Sequence, residues 1–380
     1  MTTLMLPAAA PAALRDLVAD FAAGRRPALA RAVSVVENHR DGSDLLLAAL
    51  HARIGRARRI GLTGPPGAGK STLATLLAAE MRKAGLTVGI VAVDPTSPFT
   101  GGALLGDRVR MESVALDPGI FIRSMATRGS LGGLAATTRE VCDVLDAFGV
   151  DRVLVETVGV GQSELDISRT VDSSVVVLTP ESGDGIQAMK AGLMEIADLF
   201  VVNKADRPGA DRLRNDLELM LGLRGGRGLQ DAPAHHGVDL RAAASRSLGS
   251  GNPAGAARAA ALRDDAVVWT PPVLRAVSTA GEGIVELLAS LDRHFGYLEK
   301  SGTLTARRRV RLRDRVVDVV EQRIRGRLWT DAGTTRWIDE RIPELESGGT
   351  TPYAVADALL ARSGPLLAGV QRPRLSGATE

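Results

Sequence analysis

The chain has 380 residues, 45% of them hydrophobic, which allows one large domain with extensions or two domains and argues against wholesale disorder. A formal net charge of +3 demands no polyanionic partner, and an aromatic content of 3% leaves few platforms for stacking bases. A single cysteine, Cys142, excludes an intrachain disulfide and a cysteine-based metal cluster; it falls in a predicted helix and reads as a small core residue.

The opening MTTLMLPAAAPAALRDLV has no basic region ahead of its apolar residues, so it is a poor signal peptide. No stretch is apolar for long enough to span a bilayer. The expectation is a soluble, cytoplasmic protein without a membrane partner. Residues 1–58 read as a helical extension, ALRDLVADFAAG, RPALARAVSVVEN and SDLLLAALHARIG, with Ser43 as the N-cap of the third helix and Gly55 near its end.

From Arg59 to residue 298 short apolar strands alternate with amphipathic helices. RIGLTG, TVGIVAVD, FIRS, DRVLVET, SSVVVLT, DLFVVNKAD and PVLRAVST are strand-like. KSTLATLLAAEMRKAG, LAATTREVCDVLDAFG, IQAMKAGLMEI, DRLRNDLELMLG and GIVELLASLDRHF are helical. This rhythm predicts an α/β fold around a mostly parallel sheet covered on both faces. Residues 224–265, rich in Gly, Ala, Ser and Arg, break it and are expected to form a mobile insertion, with His235 and His236 as solvated loop residues.

The remaining segment, 299–380, is predicted to be helical. Leu312, Val316, Val320, Ile324 and Leu328 recur every fourth residue and Val317 widens the stripe, a pattern suited to a subunit or domain interface. Thr351, Pro352 and Gly364 frame a last helix as N-cap, first turn and terminator. RRRVRLRDR (307–315) carries interleaved Val310, Leu312 and Asp314, so it reads as one face of an amphipathic helix and no nucleic-acid partner is expected.

GPPGAGKS, Gly64 to Ser71, fits G-x-x-x-x-G-K-[ST] without gaps and lies between a strand and a helix, the context this motif requires. Gly64, Gly67 and Gly69, with Ala68 between the last two, let backbone N–H groups turn inward toward phosphate oxygens, assisted by the helix N-terminus. Lys70 is placed to reach the β- and γ-phosphates, Ser71 to coordinate Mg²⁺ and Thr72 to contact the α-phosphate. NKAD, residues 203–206, follows the strand LFVV. The Asp206 carboxylate can accept hydrogen bonds from guanine N1–H and the 2-amino group, two donors that adenine lacks. Asn203 supports the purine edge, Lys204 covers a ring face, and Ser278, Thr279 and Ala280 form a further loop able to touch the base. The pair of motifs selects GTP and GDP over adenine nucleotides.

Three acids are candidates for the metal and water network: Asp94 at the end of VGIVAV, Asp107 in LLGDRVRM, and Glu156 at the end of VLVE. Strand C-termini of such sheets converge on the ligand crevice, and Mg²⁺ keeps several waters when nucleotide-bound, so carboxylates can act through water. The structural alternative for each is a helix cap or an ion pair with Arg108 or Arg110. Gly159 leaves the following loop free to sense the γ-phosphate. Gln162 reads either as a water-orienting or partner-coupling residue or as an exposed polar side chain. Arg108, Arg110 and Arg128 are candidates for a catalytic arginine, with surface ion pairs as the alternative.

Together, GLTGPPGAGKSTL, AVDPTSPFTGGALLGDRVRM, FIRSMATRGSLGGLA, VLVETVGVGQSE, GDGIQAMKAGLMEIAD, VNKAD and WTPPVL resemble the MeaB/ArgK-type G proteins over most of the chain, from Arg26 to PYAVADALLARSG. The resemblance implies a P-loop GTPase with a central G domain, an N-terminal helical extension and a C-terminal helical dimerisation arm. It implies a homodimer that chaperones an adenosylcobalamin-dependent acyl-CoA mutase, gating cofactor loading and protecting or reactivating the enzyme. It also implies that Lys70, Asp94, Asp107 and Glu156 surround the nucleotide phosphates and magnesium, and that the segment with Gln187 and Lys190 is a switch facing the mutase. The insertion at 224–265 departs from the pattern. Two rival readings share the phosphate loop. An ATP-dependent small-molecule or transport-system kinase predicts adenine preference, against NKAD. A nickel-insertion GTPase chaperone predicts a cysteine pair or histidine tract, and the chain has one cysteine and His235–His236.

Overall fold

The computed structural model describes residues 4, 6–94, 111–126, 136–157, 159, 166–181, 192–224 and 268–364. The chain divides into two units: Met1–Leu6 with Ala10–Thr305, and Ala306–Glu380 with Pro7–Ala9.

The first unit opens with three helices, α1 (Ala12–Ala22), α2 (Arg26–Glu37) and α3 (Ser43–Leu50). The N-cap of α3 is Gly42, not Ser43, which is the first helical residue and is buried. The reason is local. The chain reverses through a turn in which Ser43 N donates to the Arg40 carbonyl, and Gly42 takes the left-handed conformation at φ 86°. A β-carbon on Gly42 would also lie 3.1 Å from Leu14 Cδ2, so the turn packs against α1.

The sheet is built from β1 (Arg58–Thr63), β2 (Val88–Asp94), β3 (Ile120–Ala126), β4 (Arg152–Glu156), β5 (Ser173–Leu178), β6 (Leu199–Asn203) and β7 (Val273–Ala276). All seven strands are parallel, in the order β3-β2-β4-β1-β5-β6-β7. Helices α4 (Lys70–Lys83), α5 (Ala136–Phe148), α6 (Ala210–Arg224) and α7 (Ile284–Lys300) join or follow the strands. Every residue of β5 and β6 is buried, as expected of strands covered on both faces.

Strand alternation assigns each face. Ile60, Leu62, Ile90, Leu154, Val175 and Val177 share a core with Leu73, Leu77 and Met81 of α4 and Leu287 and Leu291 of α7. Val91, Val93, Val153 and Val155 point the other way, into a core with Leu145 of α5 and with Leu17, Phe21, Leu29 and Val33 of α1 and α2. Cys142 belongs to that second core and is fully buried. The N-terminal helices are thus part of one sheet face.

Arg59 emerges on the α5 side of β1. Its guanidinium is 2.7 Å from Asp143 and 3.1 Å from Asp146, all three buried. Burial alone would lower the Arg59 pKa, but the neighbouring carboxylates overrule it and raise it above the ordinary value. Asp146 also accepts from the backbone N–H groups of Gly55, Arg56 and Ala57 at 2.8–3.0 Å, fixing the chain where it enters β1.

The second unit contains most of α8 (Thr303–Thr330), then α9 (Ala332–Asp339) and α10 (Pro352–Arg362). Val310, Leu312, Val316, Val317, Val320 and Ile324 of α8 are all exposed, while Leu328 at the end of the same stripe is buried. The Thr351 hydroxyl caps α10 by accepting from Ala354 N, and Ser363, not Gly364, stands at its C-cap. Trp337 lies beneath the guanidinium of Arg341, 3.6 Å from the ring centre.

Candidate functional site

The strand order reverses direction around β1: β4 lies on one side of it and β5 on the other. In open parallel sheets the crevice beyond the strand C-termini at such a point receives ligands. Gly64 follows β1 there, Glu156 ends β4 and Asn203 ends β6.

Between β1 and α4 the chain folds back on itself through three residues of positive φ: Gly64 at 131°, Gly67 at 75° and Gly69 at 89°. At two of them the space is closed as well. A β-carbon on Gly64 would meet the Val177 carbonyl oxygen at 2.1 Å, and one on Gly69 would meet Asn203 Nδ2 at 2.3 Å. The turn leads directly into the first N–H groups of α4, a arrangement suited to an anion. Lys70 is buried, and its Nζ donates to the carbonyls of Gly64 at 2.8 Å and Pro65 at 3.0 Å. Gly159 lies against the same place, since a β-carbon on it would come within 2.6 Å of Gly64 O and Lys70 Nζ.

Alternation along β4 puts Glu156 on the face of Leu154, toward α4. The Ser71 hydroxyl donates to Glu156 Oε1 at 2.6 Å, with both residues buried. A hydroxyl and a carboxylate at this distance, beside a glycine cradle, form a hard oxygen donor set that fits a small divalent cation held with a phosphate. The Thr75 hydroxyl donates to the Ser71 carbonyl at 2.8 Å and steadies the first turn. Thr72 is half-buried.

Asn203 links the two halves of the crevice. Its amide donates to Ala68 O at 2.7 Å and its carbonyl accepts from Ser278 N at 3.2 Å, entirely buried. Lys204 has a φ of 55°, a left-handed conformation that costs a non-glycine residue about 1 kcal/mol and is held by the turn bond from Arg207 N to Lys204 O. Asp206 is exposed on that turn; Ser278 is buried, and Thr279 and Ala280 are exposed on the adjoining turn closed by Ala280 N to Val277 O. Glu181 joins this group, 3.8 Å from Lys204 Nζ and hydrogen-bonded to Arg207. The Arg207 hydrogen bond holds the Glu181 carboxyl below its usual range and raises the Arg207 pKa in return.

Residues 29–333 match the family described as methylmalonyl Co-A mutase-associated GTPase MeaB. The chain belongs to the MeaB family of GTPases. A Pyrococcus abyssi protein whose name includes the word GTPase is 43% identical over 346 residues, covering 91% of this chain and 95% of that one. The mouse mitochondrial methylmalonic aciduria type A homolog is 32% identical over 355 residues, 89% of this chain and 76% of the mouse protein. The crystal structure of an LAO/AO transport system kinase superposes with a TM-score of 0.61 at 25% identity, over 94% of this chain and 99% of that one.

In this MeaB GTPase the described residues therefore bring together Gly64, Gly67, Ala68, Gly69, Lys70, Ser71, Thr72, Glu156 and Gly159 on one side and Asn203, Lys204, Asp206 and Ser278–Ala280 on the other. Asp94 ends β2 at the same edge of the sheet. Asp107, Gln162, Gln187 and Lys190, the three arginines proposed for catalysis, His235, His236 and almost all of the 224–265 insertion lie outside the described residues. Motif reading passed over Thr63, Thr157, Glu181 and Arg207. Of these, Glu181 had a weak signal, an acid three residues beyond the end of β5 where the chain reaches the crevice.

Proposed function

We propose that this MeaB GTPase binds GTP with Mg²⁺ and couples its hydrolysis to the loading, protection or reactivation of an adenosylcobalamin-dependent acyl-CoA mutase, methylmalonyl-CoA mutase or a close relative. The family match over residues 29–333 carries the reading, because the family is described by its association with that mutase. The mouse relative, named for methylmalonic aciduria, supports it.

In this reading Lys70 exchanges the carbonyls of Gly64 and Pro65 for phosphate oxygens. The loop N–H groups receive the same phosphates, so the charge developing during phosphoryl transfer meets donors already in place. Ser71 and Glu156, with Asp94 and Asp107 as further candidates, would hold Mg²⁺ directly or through water. Bound there, the ion would neutralise negative charge on the phosphates. Asp206 pairs with the guanine edge, the Lys204 stem covers the ring, and Asn203 keeps the base loop and phosphate loop in register. Gly159 lies against Lys70 and would register the γ-phosphate, while Gln162, Gln187 and Lys190 would carry that signal to the mutase.

The exposed stripe Val310–Ile324 on α8 supports a homodimer formed through this helix. Two experiments test the scheme. GTP turnover measured with and without the mutase should rise in its presence, and an unchanged rate at saturating mutase would sink the chaperone reading. Light scattering should give a dimer mass for the full chain and a monomer mass for Val316→Glu/Val320→Glu; a monomeric parent protein would remove the dimer.

A further inference from the structure

Backbone pairing of β1 with β4 has its last register pair at Leu62 and Glu156, and Thr157 N still donates to Leu62 O at 3.1 Å. One residue further on, side chains take over. Thr157 Oγ1 donates to Thr63 Oγ1 at 3.1 Å and lies 3.5 Å from Leu62 O. Thr63 is completely buried and Thr157 is 1% exposed, so these hydroxyls are costly to place here unless paired. Valine has the same shape and would fill a buried strand position without that demand.

The position of the pair gives it meaning. Immediately beyond Thr63 the chain opens into the phosphate loop at Gly64, and immediately before Thr157 stands Glu156. Alternation puts Thr157 on the opposite face of the sheet from Glu156, so it acts through the backbone rather than by touching a ligand. The hydroxyl pair closes the fork where two strands part, each carrying one half of the Ser71–Glu156 donor set.

We propose that Thr63 and Thr157 form a clasp that sets the separation of Glu156 from the phosphate loop, making Thr157 a positioning residue for the cation. This rests on reading Ser71 and Glu156 as the residues that hold Mg²⁺. The clasp lets the cation site keep its spacing while the segments on either side exchange partners with the nucleotide.

The test uses the full chain loaded with a fluorescent GDP analogue, whose release rate is followed across a Mg²⁺ titration and in EDTA. Thr157→Val should move the Mg²⁺ midpoint upward by about 10-fold, the scale on which supporting residues tune metal sites. Release in EDTA should stay within about twofold of the parent rate, and Thr157→Ser should restore the parent midpoint. Thr63→Val should reproduce the shift, and the double variant should add little to either single change, as expected of directly coupled partners. The clasp is overturned by an unmoved midpoint in both folded valine variants, by additive shifts, or by equal acceleration in EDTA, which would mark general loosening. A parent protein whose GDP release ignores Mg²⁺ would overturn the metal reading as well, which separates the two failures.

Discussion

The Ser71 hydroxyl donates to Glu156 Oε1 at 2.6 Å, joining the first turn of α4 to the end of β4. The contact needs the full length of a glutamate. The strand ladder fixes the Glu156 backbone against Leu62, so a side chain shorter by one methylene has no freedom to follow.

Glu156→Asp should therefore lose more than Glu156→Gln loses in geometry, although the second change removes the charge. Both should lower GTP turnover and raise the Mg²⁺ requirement, by about 10- to 100-fold on the scale of altered metal-site partners. Steady-state turnover against Mg²⁺ concentration measures it. Glu156→Asp behaving as the parent protein would mean that the reach to Ser71 is unimportant.

Asp206 is exposed on the turn that follows Asn203, where its carboxylate can face a purine edge. Asp206→Asn exchanges one acceptor for a donor and should weaken GDP binding by about 100-fold, the loss of one or two charge-assisted hydrogen bonds. Xanthosine diphosphate, with an acceptor where guanine has its amino group, should bind the variant better than GDP. Calorimetry with both nucleotides decides, and an undisturbed preference for GDP would place base selection elsewhere.

Arg59 lies in the interior between Asp143 and Asp146. Removing the cation strands buried carboxylate charge, so Arg59→Met should cost about 3 kcal/mol in urea unfolding. Arg59→Met/Asp143→Asn should recover part of that loss, since Asp146 keeps its three backbone donors. A single variant within about 0.5 kcal/mol of the parent would show that the charges are solvated in solution.

The Glu181 carboxyl is held below its usual range by its hydrogen bond with Arg207. A folded pKa below the unfolded one means that the pair stabilises the base loop above the ordinary glutamate value and is lost as pH falls through the folded value. Nucleotide retention should accordingly stay flat from neutral pH down to roughly pH 5 and weaken only below the usual glutamate range. Glu181→Gln should flatten that acid limb. A GDP release rate that climbs steadily between about pH 7 and 5 in the parent protein would contradict this.

The phosphate loop was legible in the sequence because its glycines, its lysine and its flanking strand and helix all sit within a dozen residues, so local chemistry specifies it. NKAD at the end of β6 was legible for the same reason, and the place of Glu156 at the C-terminus of the strand VLVE was enough to aim it at the crevice. The Thr63–Thr157 pair, the Glu181–Arg207 contact and the three backbone donors of Asp146 were not. Each joins common residue types across 26 to 94 positions, and nothing in a threonine at a strand end distinguishes a clasp from a β-former. Ser43 shows the opposite failure. Its side chain has the right chemistry for a cap, but the tight reversal at Gly42 needed a positive φ more than it needed a hydroxyl.

Gly69 bears directly on how such a site can change over time. The Asn203 amide occupies the place where its β-carbon would be, at 2.3 Å, while donating to Ala68 one residue earlier. The element proposed to read the base and the element proposed to hold the phosphates are therefore interlocked parts, each shaped as the mould of the other. A substitution that retunes nucleobase preference by shifting Asn203 must disturb phosphate affinity too. New specificity can come cheaply only from side chains outside this interlock, with Asp206 foremost among them.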